Sequence, residues 1–289
     1  YMPDGLWSLV AKHMPRSNRK EDWADADHLE ERSKPARGEL VLDVQAVRKE
    51  FGGLVAVNDI SFQITAGQIV GLIGPNGAGK STTFNLITGV LPLTSGSVQY
   101  RGETISGLPS RDIARRGMAR TFQHVKMIPD MTVLENVAMG AYSRGHKGVV
   151  SGLLRTNQSE EQRLFKEAQR QLTRVGIGHL LHEQAGNLAM GQQRLMEIAR
   201  ALCADPALLL LDEPAAGLRH KEKQALADVL RQLRNEGVSI LLVEHDMDLV
   251  MQVCEHLVVM EFGTLLTQGT PEEIQQSPEV RAAYLGTEH

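Results

Sequence analysis

Residues 74–82 read Gly74-Pro75-Asn76-Gly77-Ala78-Gly79-Lys80-Ser81-Thr82. Residues 68–74 are predicted to form a short buried strand, and a helix should begin at this glycine-rich turn and run to about residue 88. Between a strand and a helix, this glycine spacing followed by Lys-Ser is typical of a phosphate-binding loop. Glycines let the backbone wrap closely around phosphates, and the exposed N–H groups of a helix N-terminus attract anions. Lys80 would contact the β- and γ-phosphates, and the Ser81 hydroxyl would ligate Mg²⁺.

Two adjacent carboxylates follow the apolar residues 208–211. A buried strand here would place Asp212 at the carboxyl end of a parallel sheet, where ligands bind in open α/β folds. Asp212 would then hold Mg²⁺ through the water shell of the ion. Neighbouring side chains on a strand diverge, so Glu213 would point elsewhere and act on an attacking water as general base. An acidic residue after an apolar run is a weak signal alone, and the phosphate loop makes it specific.

A histidine follows a further apolar run at residues 239–243, in the sequence Val243-Glu244-His245-Asp246. Parallel strands end at the same edge of a sheet, so His245 should lie near Asp212. A neutral imidazole there would hydrogen-bond the γ-phosphate and orient Glu213 and the water.

The first 38 residues differ from the rest of the chain. An apolar stretch at residues 5–11 is followed by a basic cluster and an acidic stretch, and Pro35 and Gly38 close the segment. This composition predicts a solvated linker that cannot fold alone. From residue 39 onward, the alternation of apolar and polar residues at 40–47 and 60–65 predicts strands. Residues 95–100 are also predicted to form a strand. The C-terminal part alternates helices with apolar strands, which is typical of a parallel sheet covered by helices.

Helix starts and packing faces are also visible. Thr132 with Glu135 and Ser159 with Gln162 each match a capping box. In the second helix, apolar residues at 164, 165, 168, 172 and 175 recur at helical spacing, which predicts a face packed in the core.

Composition narrows the class of protein. The 289 residues carry a net charge of −4, with 42% hydrophobic and 23% charged residues, as in ordinary globular proteins. The charge gives no reason to expect nucleic acid as a partner. The two cysteines, Cys203 and Cys254, have no metal-ligand spacing and are expected in the core of a cytoplasmic protein. No apolar run reaches the roughly 20 residues that span a bilayer.

With these motifs in place, residues 39–286 resemble the ABC ATPases. Phe51 matches the aromatic position that stacks on adenine, and Gln123 matches the Q-loop glutamine, which reaches Mg²⁺. Residues 215–218 match the D-loop. The signature loop corresponds to Leu188-Ala189-Met190-Gly191-Gln192. The resemblance implies an α/β P-loop NTPase with a RecA-like core, an antiparallel β-subdomain and a helical subdomain at about residues 125–188, within a nucleotide-binding domain over residues 39–289.

The resemblance also implies partners. In the family, the signature loop of one subunit closes over ATP bound by a second ABC ATPase subunit, so the chain is expected to work as a homo- or heterodimer on transmembrane permease subunits. The motifs around Phe51, Gln123 and Glu213, with the closing residues 282–286, are similar to ATP-binding subunits of bacterial branched-chain amino acid importers. Such a subunit lies at the cytoplasmic face of the inner membrane and serves a periplasmic substrate-binding protein indirectly.

The opening residues 2–8 resemble the cytoplasmic end of the matching permease subunit. This implies a permease tail fused to the ATPase, tethering it to the membrane; a plain linker on a peripheral subunit is the alternative.

Two places depart from the family pattern. The signature serine, which would hydrogen-bond the γ-phosphate across the dimer, is Ala189, and Met190 stands where a glycine or an aromatic is usual. Arg219 and His220 stand where asparagine or aspartate followed by proline is usual. We hypothesise that the chain has a sound ATP-binding half but a weakened trans half, which a heterodimer would tolerate.

Alternatives remain open at this stage. The ATPase of a lipopolysaccharide exporter is the related alternative, and a soluble non-transport ABC ATPase or a nucleotide-binding regulator are alternatives from other classes. The transported substrate is not encoded in these motifs, since the permease and the external binding protein select it; leucine, isoleucine and valine, amides and urea are all compatible.

Overall fold

The computed structural model describes residues 23, 25–121, 126–144 and 158–285. Within these ranges the strands are β1 Leu40–Phe51, β2 Leu54–Thr65, β3 Ile69–Ile73, β4 Ser95–Tyr100, β5 Glu103–Thr104, β6 Met118–Arg120, β7 Leu208–Asp212, β8 Ser239–Val243, β9 His256–Glu261 and β10 Thr264–Gly269. The helices are α1 Lys80–Ile87, α2 Ser110–Arg115, α3 Val133–Ala138, α4 Gln158–Arg174, α5 Met190–Leu202, α6 His220–Asn235, α7 Met247–Val253, α8 Pro271–Gln276 and α9 Pro278–Leu285. Short 3₁₀ turns lie at Met139–Arg144, Gly178–Leu180 and Ala185–Asn187.

The strands form two sheets. One is antiparallel, in the order β2-β1-β4-β5. The other has the order β10-β9-β3-β8-β7-β6, and its pairings from β9 to β6 are parallel. The predicted antiparallel subdomain and mainly parallel core are confirmed. Between β1 and β2, Gly52 and Gly53 have φ of 52° and 93°, which suits the two-residue turn of a tight hairpin.

The parallel sheet separates two hydrophobic layers. In β7, Leu209 and Leu211 belong to the layer formed with the helices, whereas Leu208 and Leu210 face the layer shared with the antiparallel sheet and α1. This alternation follows from the two-residue period of a strand. Each of β3, β7 and β8 has five residues, and all of them are buried. The residues that follow these strands therefore lie at one fixed edge of the sheet.

The helical subdomain confirms one predicted helix start and corrects another. Thr132 caps α3, accepting from the Glu135 N–H at 3.2 Å, while the Glu135 carboxylate accepts from the Thr132 N–H at 2.8 Å. The predicted start at Ser159 is wrong, since α4 already includes Gln158. The apolar stripe of α4 packs as expected, with Leu164, Ala168, Leu172 and Val175 buried and Phe165 partly buried.

The N-terminal segment contacts the helical subdomain where the structure describes it. Trp23 is 5% exposed; its ring lies 5.5 Å from that of Phe165, and its Nε1 donates to Gln169 at 2.9 Å. Leu29 is also buried, and the Arg32 N–H donates to Asp205. Main-chain carbonyls of the segment accept from Lys166, Arg163 and Arg144. Residues 2–8, which resemble a permease tail, lie outside the described residues.

Both cysteines are free and buried, as predicted. Among the residues that the structure describes, no helix combines the length and the apolar character needed to cross a membrane.

Candidate active site

The phosphate loop joins β3 to α1, as its sequence predicts. Its three glycines, Gly74, Gly77 and Gly79, have φ of 149°, 82° and 95°, which L-residues with a side chain rarely adopt. A Cβ on Gly74 would lie 2.1 Å from the Met260 carbonyl oxygen, and one on Gly79 would lie 2.8 Å from that of Ala56. The loop therefore requires glycine for both its dihedral angles and its close approach to neighbouring strands.

Lys80 begins α1 and folds back over the loop. Its Nζ donates to the carbonyl oxygens of Gly74 at 2.7 Å and Pro75 at 2.9 Å. Burial lowers the pKa of Lys80, and the negative charges of Glu213 and Asp212 oppose that shift. These charges place the ammonium, the loop and the two carboxylates in one electrostatic neighbourhood. Ser81 is exposed and Thr82 half-buried at the start of the helix, beside the main-chain N–H groups that suit a phosphate.

Asp212 ends β7, next to β8 in the register Asp212↔Val243. Its side chain is buried; burial raises the pKa of Asp212, and the neighbouring Arg120 opposes that rise. Glu213 leaves the strand with a left-handed φ of 47°, and its N–H donates to the Val243 carbonyl oxygen at 2.8 Å. Such a dihedral angle in a non-glycine residue costs roughly 1–3 kcal/mol and is concentrated at functional sites.

His245 lies beside Glu213, which confirms that the two strand ends converge. The distance from His245 Nδ1 to Glu213 Oε1 is 3.9 Å. The imidazole is largely exposed, and the next residue, Asp246, caps α7 by accepting from the Leu249 N–H at 3.0 Å. The pair can therefore act on a water and a phosphate that enter from solvent.

The signature residues form the start of α5. Leu188 is buried, and Ala189 occupies the N-cap position without a side-chain hydrogen bond. The Gln192 side chain accepts from the Ala189 N–H at 3.0 Å. A Cβ on Gly217 would lie 2.6 Å from the Met190 Sδ, so Met190 packs on the D-loop. Arg219, the other departure from the family pattern, is likewise an N-cap without a side-chain bond.

Two further residues predicted for the site are Phe51, for adenine stacking, and Gln123, for Mg²⁺. Phe51 ends β1 and is 43% exposed; the Lys49 Nζ lies 4.9 Å from its ring centroid. Gln123 lies outside the described residues. Thr121, two positions earlier, continues along β7, donating its N–H to the Leu210 carbonyl oxygen at 2.9 Å. The chain at Thr121 therefore lies beside the strand that carries Asp212.

Sequence reasoning missed two charged groups at this site. Arg120 donates to Asn85 on α1 at 3.1 Å and to Thr88, the C-cap of α1, at 2.8 Å. Its charge also acts on Asp212. Glu244 is fully buried between the D-loop and His245. Its position directly after the buried strand β8, comparable to that of Glu213 after β7, is the signal that could have found it.

Known proteins resemble the chain over most of its length. A family model described as ABC transporter matches residues 57–216, and one described as Branched-chain amino acid ATP-binding cassette transporter matches residues 264–289. LivG of Salmonella typhimurium, a high-affinity branched-chain amino acid transport ATP-binding protein, is 45% identical over 249 residues, which is 85% of this chain and 98% of LivG. BraF of Pseudomonas aeruginosa, described in the same words, is 43% identical over 249 residues, again 85% of this chain and 98% of the relative.

Solved structures share the fold. A nucleotide-free ATP-binding cassette from an ABC transporter superposes with a TM-score of 0.76 at 30% identity, covering 85% of this chain and 98% of that structure. An ATP-binding cassette of an ABC transporter in its ADP conformation gives a TM-score of 0.77 at 31% identity, covering 86% of this chain and 99% of that structure. The predicted P-loop NTPase fold is confirmed.

Proposed function

The chain belongs to the ABC transporter family, and on that premise we propose that it powers import of branched-chain amino acids by hydrolysing ATP at its phosphate loop. It is an ATP-binding, ATP-hydrolysing transporter subunit by family membership. The observation that carries the site assignment is the convergence of Lys80, Asp212, Glu213 and His245 at one edge of the parallel sheet, with 3.9 Å between His245 Nδ1 and Glu213 Oε1.

The roles of these residues follow from their chemistry. The adenine stacks on Phe51, and the loop residues Gly74–Thr82 hold the phosphates, with the Lys80 ammonium on the β- and γ-phosphates. Glu213 accepts a proton from the water that attacks the γ-phosphate. His245 orients the γ-phosphate and the water. Gln123 takes the role of the Q-loop glutamine and ligates Mg²⁺.

The donor set fits Mg²⁺. No group of three or more His, Cys, Asp or Glu side chains that could hold a metal occurs in the described ranges. Mg²⁺ does not need one, because at phosphate sites it takes one or two carboxylates, the substrate phosphates and several waters. The Ser81 hydroxyl, Asp212 and Gln123 supply hard oxygen ligands of this kind. When bound, the ion neutralises charge on the β- and γ-phosphates.

A second ATPase subunit completes the reaction in this proposal. Residues 188–192 of one subunit would close over ATP on the other, with permease subunits anchoring the pair at the cytoplasmic face of the membrane. Because Ala189 lacks the hydroxyl, this chain would weaken the ATP site of its partner. A partner subunit with an intact signature would still complete the ATP site on this chain's own phosphate loop. The names of LivG and BraF support branched-chain amino acids as the cargo. The division into a segment 1–38 and a nucleotide-binding domain 39–289 stays a prediction.

The test is ATP hydrolysis by the full chain, alone and with its transporter partners, comparing wild type with Glu213→Gln. The variant should bind ATP but lose at least 99% of turnover, since general base catalysis contributes roughly 10²–10⁴-fold. Light scattering should show an ATP-dependent dimer in the variant. The control is Glu103→Gln on β5, an exposed carboxylate paired with Arg116. Wild-type turnover in Glu213→Gln would refute the assigned role.

A further inference from the structure

We infer that Glu244 is a positioning residue for ATP hydrolysis, which holds the D-loop and His245 in a fixed relation to each other. Glu244 lies between the end of β8 and His245, and its relative exposure is 0%. This inference rests on the proposed roles of Glu213 and His245. It concerns a carboxylate that is fully buried behind the D-loop and His245.

The carboxylate of Glu244 is used as a backbone clamp. Its Oε1 accepts from the Ala215 N–H of the D-loop at 2.6 Å. Its Oε2 accepts from the N–H groups of His245 at 3.0 Å and Asp246 at 3.3 Å. One rigid group therefore connects two loops that leave different strands, β7 and β8.

A carboxylate is a costly residue to bury, which argues for a specific use. Burial raises the pKa of Glu244, and the backbone N–H groups of Ala215, Asp246 and His245 oppose the rise by stabilising the charged form. Lys223 pairs with Asp246, and the His245 Nδ1 lies 4.0 Å from Glu244 Oε2. An apolar side chain could fill the same space but could accept none of these three N–H bonds.

The Glu244 carboxylate is connected to the general base, Glu213, through the short segment from Glu213 to Ala215. Glu213 and Ala215 are two residues apart, and each donates its N–H to the end of β8, Glu213 to the Val243 carbonyl and Ala215 to Glu244. These two bonds bracket the strained Glu213 backbone. Because Glu244 also holds the main chain of His245, it sets the distance between the base and the histidine. In a dimer, the same clamp would transmit a movement of the D-loop to His245.

Glu244→Gln tests the clamp with little change in size. One oxygen becomes an NH₂ group, which must face at least one backbone N–H that needs an acceptor. We expect kcat for ATP to fall about ten- to hundredfold, since small displacements of reacting groups cost rate on this scale, while KM for ATP stays within about twofold. Glu244→Asp keeps the charge but withdraws the carboxylate by one methylene, and its kcat should also fall.

The matched control is Glu167→Gln on α4, an equally isosteric change at a buried carboxylate that pairs with Arg144 and Arg170 away from the site. It should affect stability but not kcat per folded molecule. In a His245→Ala background, Glu244→Gln should add less than threefold further loss, because both changes disable the same unit.

A second readout does not depend on turnover. Hydrogen exchange of the N–H groups of Ala215 and His245 should accelerate at least tenfold in Glu244→Gln and stay unchanged in Glu167→Gln. Unchanged exchange, a wild-type kcat in a folded Glu244→Gln or Glu244→Asp protein, or losses that multiply fully with His245→Ala would overturn the inference. If Glu213→Gln and His245→Ala also keep wild-type turnover, the proposed function fails; if only the Glu244 variants do, the clamp alone fails.

Discussion

Restoring a serine at position 189 perturbs both helix stability and turnover. Ala189 is the N-cap of α5, with extended φ and ψ of −63° and 155° and no side-chain bond. The reciprocal half of a capping box already exists, because the Gln192 side chain accepts from the Ala189 N–H at 3.0 Å. A serine hydroxyl would accept from the Gln192 N–H and complete the motif. Ala189 is exposed, so one added oxygen meets no packing constraint.

The effect on stability can be worked from this geometry. Replacing serine by alanine at an N-cap costs about 1 kcal/mol, so Ala189→Ser should raise the free energy of unfolding by about that amount. For a chain of this size the melting temperature should rise by roughly 2 °C. Urea denaturation measures the change. Arg219→Ser, at the N-cap of α6 with φ and ψ of −78° and 161°, should give a gain of similar size.

The effect on turnover tests the trans contact. A hydrogen bond to a charged group contributes about 1.5–3 kcal/mol, which corresponds to roughly a ten- to hundredfold rise in rate if the bond strengthens in the transition state. The assay is ATP hydrolysis by the assembled transporter. Ala189→Gly is the matched variant, because glycine is nearly as good an N-cap as serine but has no hydroxyl. The difference in turnover between the two variants therefore isolates the hydroxyl.

Two results would refute the reasoning separately. If the free energy of unfolding does not rise in Ala189→Ser, a capping side chain at position 189 does not stabilise α5. Turnover equal to that of Ala189→Gly would show that the missing serine does not weaken the trans half of this subunit.

Three further predictions address the N-terminal segment, the phosphate loop and a buried tyrosine. Trp23→Ala should lower the free energy of unfolding by about 3 kcal/mol, whereas Phe262→Ala, at an 87% exposed ring, should change it by less than about 0.5 kcal/mol; equal effects in denaturation would contradict the packing. Lys80→Gln should weaken ATP binding about ten- to hundredfold in calorimetry, and unchanged affinity would exclude its phosphate contact. Tyr100→Phe removes a 2.8 Å bond to the Gly117 carbonyl and should cost about 1 kcal/mol at pH 8. Burial raises the pKa of Tyr100 to about 12, compared with about 10 in the unfolded chain. The wild type therefore loses stability as the pH rises from about 10 towards 12, and the difference in unfolding free energy between wild type and Tyr100→Phe should narrow. A difference that stays constant over this pH range would refute the prediction.

Local patterns in the sequence were sufficient for the phosphate loop and the strand ends. Gly74 follows β3, Asp212 ends β7, and His245 lies two residues after β8, and all residues of these strands are buried. Strands of one parallel sheet end at one edge, so the convergence of the three residues could be predicted. The helix cap at Thr132 could also be predicted, because a capping box depends on residues only three positions apart.

Other features depend on residues that are far apart in the chain. Nothing near Trp23 indicates that it would pack on Phe165 and Gln169, so a composition typical of a linker conceals buried contacts. Glu244 resembles an ordinary polar strand end until the fold brings Ala215 to it.

The sequence by itself determined which residues we propose for the nucleotide site, because the periodicity of a strand and the spacing of a glycine loop are local properties of the chain. The tertiary structure decided how those residues are held. The left-handed φ of Glu213 and the three N–H bonds to Glu244 arise where β7 and β8 lie side by side. That adjacency is set by packing among residues about thirty positions apart, and no local pattern encodes it.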